Sequence, residues 1–172
     1  DAVLKAALIH PEVHFVVTHG KRQLLALPAG SMAARVGQVL GRRANGPYFE
    51  FVREQDGVKV QAWLAPPEQA SRQRGGFFIV VRRRVVSERS LQNIVTKAFA
   101  GAVESGRHVV GCVVVDPAHG SVDVNVHPQK SEIRFSDPQR VYGAVRQAFA
   151  DAMADAPWAS AQEGAATRFA QD

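Results

Sequence analysis

His10 and His14 stand four positions apart, the spacing at which two imidazoles on one helix face can share a zinc ion. Pro11 lies between them and the apolar pattern changes there, so no single helix carries both and no metal site is expected. Farther along, Asp123, Asn125 and His127 alternate with Val122, Val124 and Val126, which puts the polar residues on one face of a strand. An acid beside a base invites proton-transfer chemistry. With no nucleophile or second carboxylate in company, a structural polar network is the expected role. Lys130 follows Pro128 in the next loop. Taken alone it reads as a solvated lysine, although an ammonium on a flexible stem behind a stiff proline can also complete a phosphate site.

Positive charge is the second chemical resource. The chain carries a net charge of +5, and the distribution says more than the total: between Glu68 and Glu88 there is no acidic residue, while Arg72, Arg74, Arg82, Arg83 and Arg84 all fall inside that window. Arg89 and Lys97 continue the trend. Such a window is either a solvated basic face or a footprint for a phosphate backbone, and charge alone leaves both open. Conventional catalytic signatures are missing: there is no GxxxxGK phosphate loop, no GxGxxG after a strand and no GxSxG elbow.

These residues need elements to hold them. A helix end is expected at Val3 to Ile9, then strands at Val13 to Thr18 and Leu24 to Leu27. Gly30-Ser31 offers a helix start, with Val36, Val39 and Leu40 at helical spacing and Gly41 as the stop. Tyr48 to Glu54 and Val58 to Leu64 alternate like strands around Asp56-Gly57, the dipeptide of a tight hairpin. A loop follows from Ala65 to Gly76, then a buried strand at Phe77 to Val81 ending in three arginines. Leu91, Ile94, Val95, Ala98, Phe99, Ala102 and Val103 form the stripe of a core-facing helix with Ser87 as its cap. Val109 to Val115 is a further buried strand, and Asp137-Pro138 opens a last helix burying Val141, Val145, Ala148 and Phe149. This order argues an α+β two-layer domain.

With 46% hydrophobic residues, 172 positions suit one domain with a sizeable core. The opening Asp1-Ala2-Val3-Leu4-Lys5 has neither an initiator Met nor a signal-peptide layout, so the sequence reads as part of a longer protein. No apolar run is long enough to span a bilayer. Cys112, the only cysteine, lies within an apolar run, which excludes an internal disulfide and fits a reducing, cytoplasmic setting.

The segment Val122 to Phe135, VDVNVHPQKSEIRF, closely resembles the VDVNVHPxKxEVRF signature of the MutL family of DNA mismatch repair proteins. Phe15 to Pro28 and Arg84 to Ala98 are also similar to that family, so the resemblance spans most of the chain. One departure is Arg82-Arg83, where the family commonly shows Asn-Gly; it adds positive charge. The resemblance implies the transducer domain of a GHKL-type ATPase, a two-layer α/β sandwich with a mixed sheet and helices on one face, a fold shared with the second domain of a small-subunit ribosomal protein. It implies the end of an ATPase-domain helix at 1–10, the transducer at 11–153 and a linker at 154–172. Lys130 takes the position of the loop lysine that reaches the ATP γ-phosphate, supported by Asn125, His127 and Pro128. Arg89 takes the position of the family's DNA-contacting arginine, with Arg72, Arg74, Arg82, Arg83, Arg84 and Lys97 as further contacts.

The partners so implied are an adjacent GHKL domain, DNA bound without sequence preference, other mismatch repair proteins and a second copy of the parent in a homodimer. ATP with Mg would belong to the longer parent and no cofactor to this chain alone, which is not expected to be an enzyme. Two alternatives differ in class: a nucleic-acid-binding module without ATP coupling, and a small hydrolase. The transducer of a type II topoisomerase B subunit is a related reading, separated by the VDVNVHPxK wording.

Overall fold

The computed structural model describes residues 2–41, 43–118 and 133–159, and residues 122–123 for their backbone alone. Ala7 and Leu8 are the buried side chains of the first helix, α1 (Ala2–Ile9). Strands β1 (Phe15–His19) and β2 (Arg22–Leu27) then form a separate antiparallel hairpin. The first begins at Phe15 rather than Val13, whose carbonyl accepts from the guanidinium of Arg35.

Ser31 caps α2 (Met32–Leu40), its hydroxyl accepting from the Ala34 amide at 3.2 Å, and Val36, Val39 and Leu40 face inward as their spacing requires. Arg35 on the same helix is fully buried, a fact its sequence position does not announce. Its guanidinium donates to the carbonyls of Pro11, Val13 and Pro28 and lies 5.4 Å from the Phe15 ring centroid. One side chain thereby ties α2 to both ends of the small hairpin.

The main sheet has the order β3-β4-β7-β5-β6, built from β3 (Phe49–Gln55), β4 (Val58–Leu64), β5 (Phe77–Val81), β6 (Arg84–Val86) and β7 (Gly111–Pro117). Asp56 and Gly57 turn β3 into β4 at φ of 53° and 70°, the left-handed pair that the sequence predicts. β5 and β7 run parallel and every other pair is antiparallel, so the sheet is mixed. The parallel pair needs a crossover, supplied by β6 and helix α3 (Arg89–Ala98). Where β7 begins, a Cβ on Gly111 would come 2.6 Å from the Trp63 carbonyl oxygen, so the close approach of β7 to β4 depends on glycine.

Helix α4 (Pro138–Ala154) starts at Asp137, whose carboxylate accepts from the Arg140 amide at 3.1 Å. With α3 it covers the face carrying Val60, Ala62, Ile79 and Val113, and Phe149 meets Phe51 edge-on at 5.2 Å between centroids. Alternate residues of the same strands, Trp63, Phe78, Val80 and Cys112, form a second core with Leu8, Val36 and Leu40. The class is thus α+β on a mixed sheet, but helices lie on both faces and not one. The physical reason is that β5 and β7 carry apolar residues on both sides and β4 adds Trp63 to the second, so each side must be covered.

Two further expectations change in detail. Glu88 and not Ser87 caps α3, and the helix stops at Ala98, leaving Ala102 and Val103 in turns around Gly101 at φ 86°. The chain from Ala154 is not yet a linker: Ala156 and Trp158 are buried, and the Trp158 ring stands edge-on to Phe49 at 5.3 Å and beside Phe99 at 5.9 Å. Large aromatic surfaces of this kind are withdrawn from water rather than left on a tether.

Candidate nucleic-acid interface

Arg89 is exposed and is the first residue of α3. Its helix is started by Glu88, whose carboxylate accepts from the Leu91 amide at 2.6 Å and from the Tyr142 hydroxyl at 3.1 Å. Held by its own helix and by α4, Glu88 fixes where Arg89 stands. A cation at the positive end of a helix is locally unfavourable by about 0.3–1 kcal/mol, so Arg89 does not stabilise the helix it begins. Burial and the neighbouring Glu88 carboxylate push the Tyr142 phenol above its usual range, which keeps it the donor.

The hairpin between β5 and β6 carries the next arginines. Arg82 and Arg83 occupy its two turn positions at φ of 50° and 58°, so the turn that favours Asn-Gly is kept with two arginines in a left-handed conformation. Arg83 reaches across to the end of α1, where it donates to Glu12 at 2.8 Å and to the Ile9 carbonyl at 3.3 Å. Glu12 is held down to about 2, chiefly by a backbone hydrogen bond, then by His10 and Arg83. Arg84 opens β6 and is exposed.

Arg72 and Arg74, close in sequence to this group, are not close in space. They precede β5 and the other three follow it, so the strand, advancing about 13 Å over its length, separates the two sets. The single basic window is therefore two clusters at opposite ends of one strand. Lys97 joins neither: it is exposed in the last turn of α3 and lines a groove of about 550 Å³ between α3 and α4 with Ser90, Asn93 and Arg146.

Arg72 instead shares a pocket of about 470 Å³ with Arg43 and Arg107, two arginines that the sequence does not single out because 64 positions separate them. His10 bonds Glu12 through Nδ1 at 3.2 Å. Among the described residues, no three His, Cys, Asp or Glu are grouped as metal ligands, and no helix is long and apolar enough to cross a membrane.

Lys130, Asn125, His127 and Pro128 lie outside the described residues. The base on which their segment stands is described: β8 (Val122–Asp123) pairs antiparallel with β9 (Arg134–Phe135), Val122 opposite Phe135 and Asp123 opposite Arg134. Phe135 is buried and meets the Tyr142 ring edge-on at 5.9 Å. Tyr142 thus touches both the end of that segment and, through Glu88, the start of α3.

Comparison with known proteins agrees with this arrangement. Residues 36–154 match the family model described as DNA mismatch repair protein, C-terminal domain. The DNA mismatch repair protein MutL of Anaeromyxobacter dehalogenans (strain 2CP-C) is 35% identical over 167 residues, covering 96% of this chain and 28% of that protein. This chain therefore spans only about 28% of such a relative's length. In fold it is similar to the N-terminal domain of a DNA repair protein, with a TM-score of 0.67 at 16% identity, covering 94% of this chain and 52% of the other. It is similar also to the B subunit of DNA gyrase from Myxococcus xanthus, with a TM-score of 0.51 at 14% identity, covering 91% and 55%. The gyrase likeness concerns fold alone, whereas the family match covers most of the sequence: the chain belongs to the MutL-type family of DNA mismatch repair proteins.

Proposed function

We propose that this chain is the transducer of a MutL-type mismatch repair ATPase, linking an adjacent GHKL domain to DNA. The observation that carries the reading is the VDVNVHPQK segment, which starts on β8 and returns as β9, in a chain whose family is established. Lys130 has the charge and reach to meet a terminal phosphate offered by a neighbouring domain. ATP with Mg, bound by the parent, supplies the phosphoryl group. Lys130 contributes a positive charge that stabilises the charge developing during transfer, and Pro128 restricts the backbone approaching it.

On the DNA side, Arg89, Arg84 and the hairpin arginines contact phosphates, which carry no sequence information and give a salt-dependent, sequence-independent affinity. Arg83 has a competing partner in Glu12, so its share is smaller than its exposure implies. Arg72, Arg74 and Lys97 contribute from separate places. Other mismatch repair proteins and a second copy of the parent are the further partners under this reading, with a cytoplasmic location. Under this reading the adenine pocket and the metal ligands belong to the adjacent domain, and the isolated chain is expected to turn over no ATP.

Two substitutions in the longer protein test this. Lys130→Ala is expected to cut ATP hydrolysis by roughly a hundredfold, the effect of losing one charge contact in a phosphoryl-transfer site, and to spare DNA binding without nucleotide. Arg89→Glu is expected to leave basal hydrolysis near normal and to remove its stimulation by DNA. Normal turnover in Lys130→Ala would refute the phosphate assignment.

A further inference from the structure

We propose that the pocket framed by Arg43, Arg72 and Arg107 is a phosphate-binding site, distinct from the basic cluster at the start of α3. Three segments far apart in sequence converge there: the turn after α2, the loop after β4 and the loop before β7. Each is pinned by hydrogen bonds. Arg43 donates from Nη1 to the Arg74 carbonyl at 2.9 Å, and Arg107 donates from Nη1 to the Ala70 carbonyl at 3.0 Å and from Nε to Glu104 at 2.8 Å.

The loop bearing Arg72 is equally fixed. Ser71 and His108 exchange backbone hydrogen bonds at 2.9 and 2.7 Å, and the Gln69 side chain accepts from the Asn45 amide at 2.7 Å. Two guanidinium groups anchored on carbonyls of the loop that carries the third lose little freedom when an anion arrives. Glu68 also lines the pocket, so three arginines face one lining carboxylate, and Arg107 has Glu104 beside it. The excess is positive, the groups are forked donors that suit phosphate oxygens, and a volume of about 470 Å³ exceeds what one phosphate needs.

The phosphate has two sources, a nucleic-acid backbone or a free phosphate. The first rests on the DNA reading above and extends it to the far end of β5. The test is binding of a labelled duplex oligonucleotide by the 172-residue chain and by Arg72→Glu, Arg89→Glu and the double variant, with titration of inorganic phosphate followed on the Arg43 and Arg107 side-chain NMR signals. Arg72 takes part in none of the hydrogen bonds named above, so its replacement spares the frame. Arg72→Gln and the thermal transition check folding.

Loss of one phosphate contact lowers the salt slope by about 0.9, which at 50 mM salt is roughly tenfold in affinity. Arg72→Glu is expected to show this, and the double variant to show the product of the two single losses. If Arg89→Glu weakens binding and Arg72→Glu does not, with no phosphate response, the site is refuted and the DNA reading stands. If neither weakens binding while phosphate shifts the Arg43 and Arg107 signals only when Arg72 is present, the site stands with free phosphate as ligand and the DNA reading falls. No response in either assay overturns the site.

Discussion

Replacing Arg82-Arg83 by Asn-Gly separates stability from function at one turn. Both arginines sit at positive φ, where an L-residue with a long side chain costs roughly 1–2 kcal/mol, so the substitution relieves about 2–4 kcal/mol. Glycine adds freedom to the unfolded chain worth about 0.4–1 kcal/mol. The exposed pair of Arg83 with Glu12 is worth about 0.2–1 kcal/mol, and Arg82 has a contact of its own to lose. The balance is a stabilisation of about 1 kcal/mol, a rise in Tm of about 2–4 °C for a domain of this size. Duplex binding should move the other way: up to two phosphate contacts are lost, and the slope of log affinity against log salt should fall by about 1–2. The assay is a thermal melt beside a salt series of binding isotherms on the same variant. A lower Tm with unchanged binding would refute the reasoning, because it would mean the arginines are kept for the contact with Glu12 and not for an external anion.

Three other outcomes follow from the geometry. The backbone hydrogen bond to Glu12, with the contacts from His10 and Arg83, strengthens folding above the ordinary Glu value of 4.5 and is lost as pH falls toward about 2, so an NMR titration of Glu12 should place its midpoint near 2 in the native chain and near 4.5 in urea. Cys112 is fully buried and its thiol is pushed up by burial, so it should resist a thiol reagent in the native state and react once the chain is unfolded; rapid native labelling would contradict the packed second core. Phe149→Ala empties the contact between α4 and β3 and should cost about 3–5 kcal/mol in a denaturant melt, whereas a loss below about 1 kcal/mol would mean α4 is not the lid of the main core.

What the sequence revealed about the fold depended on whether one residue's surroundings were local. Asp56-Gly57 specified its turn because positive φ is a property of two residues, and Ser31 and Asp137 specified helix starts because a cap is satisfied within three. The helix-covered second face was legible in principle, since β5 and β7 carry apolar residues on both sides, but periodicity does not say where two covering helices come from. Arg35 gave no signal at all: a helical arginine in a polar position looks solvated, and its three carbonyl partners lie up to 24 positions away. The same holds for Trp158, whose alanine-rich neighbours suggest a tether while its partners Phe49 and Phe99 sit elsewhere in the chain.

The basic residues show why proximity in sequence misleads about a site. An acid-free window reads as one patch only if the backbone through it stays together, and here an extended strand runs through the middle and carries Arg72 and Arg74 away from Arg82 to Arg84. Conversely, the Val122–Phe135 segment and Arg89, far apart in sequence and assigned to different ligands, meet at Tyr142, whose ring packs on Phe135 and whose hydroxyl donates to the residue that starts α3. A hydroxyl bonded to a part-buried carboxylate is worth about 1.5–3 kcal/mol, and the edge-on ring contact adds roughly 0.5–1.5 kcal/mol. Displacement of the Phe135 end of the segment by more than a fraction of an ångström therefore strains the start of α3 unless Tyr142 lets go of one side. The two ends of the proposed transduction share a side chain, and the cost of separating them is of the size by which one bound ligand alters the affinity for another.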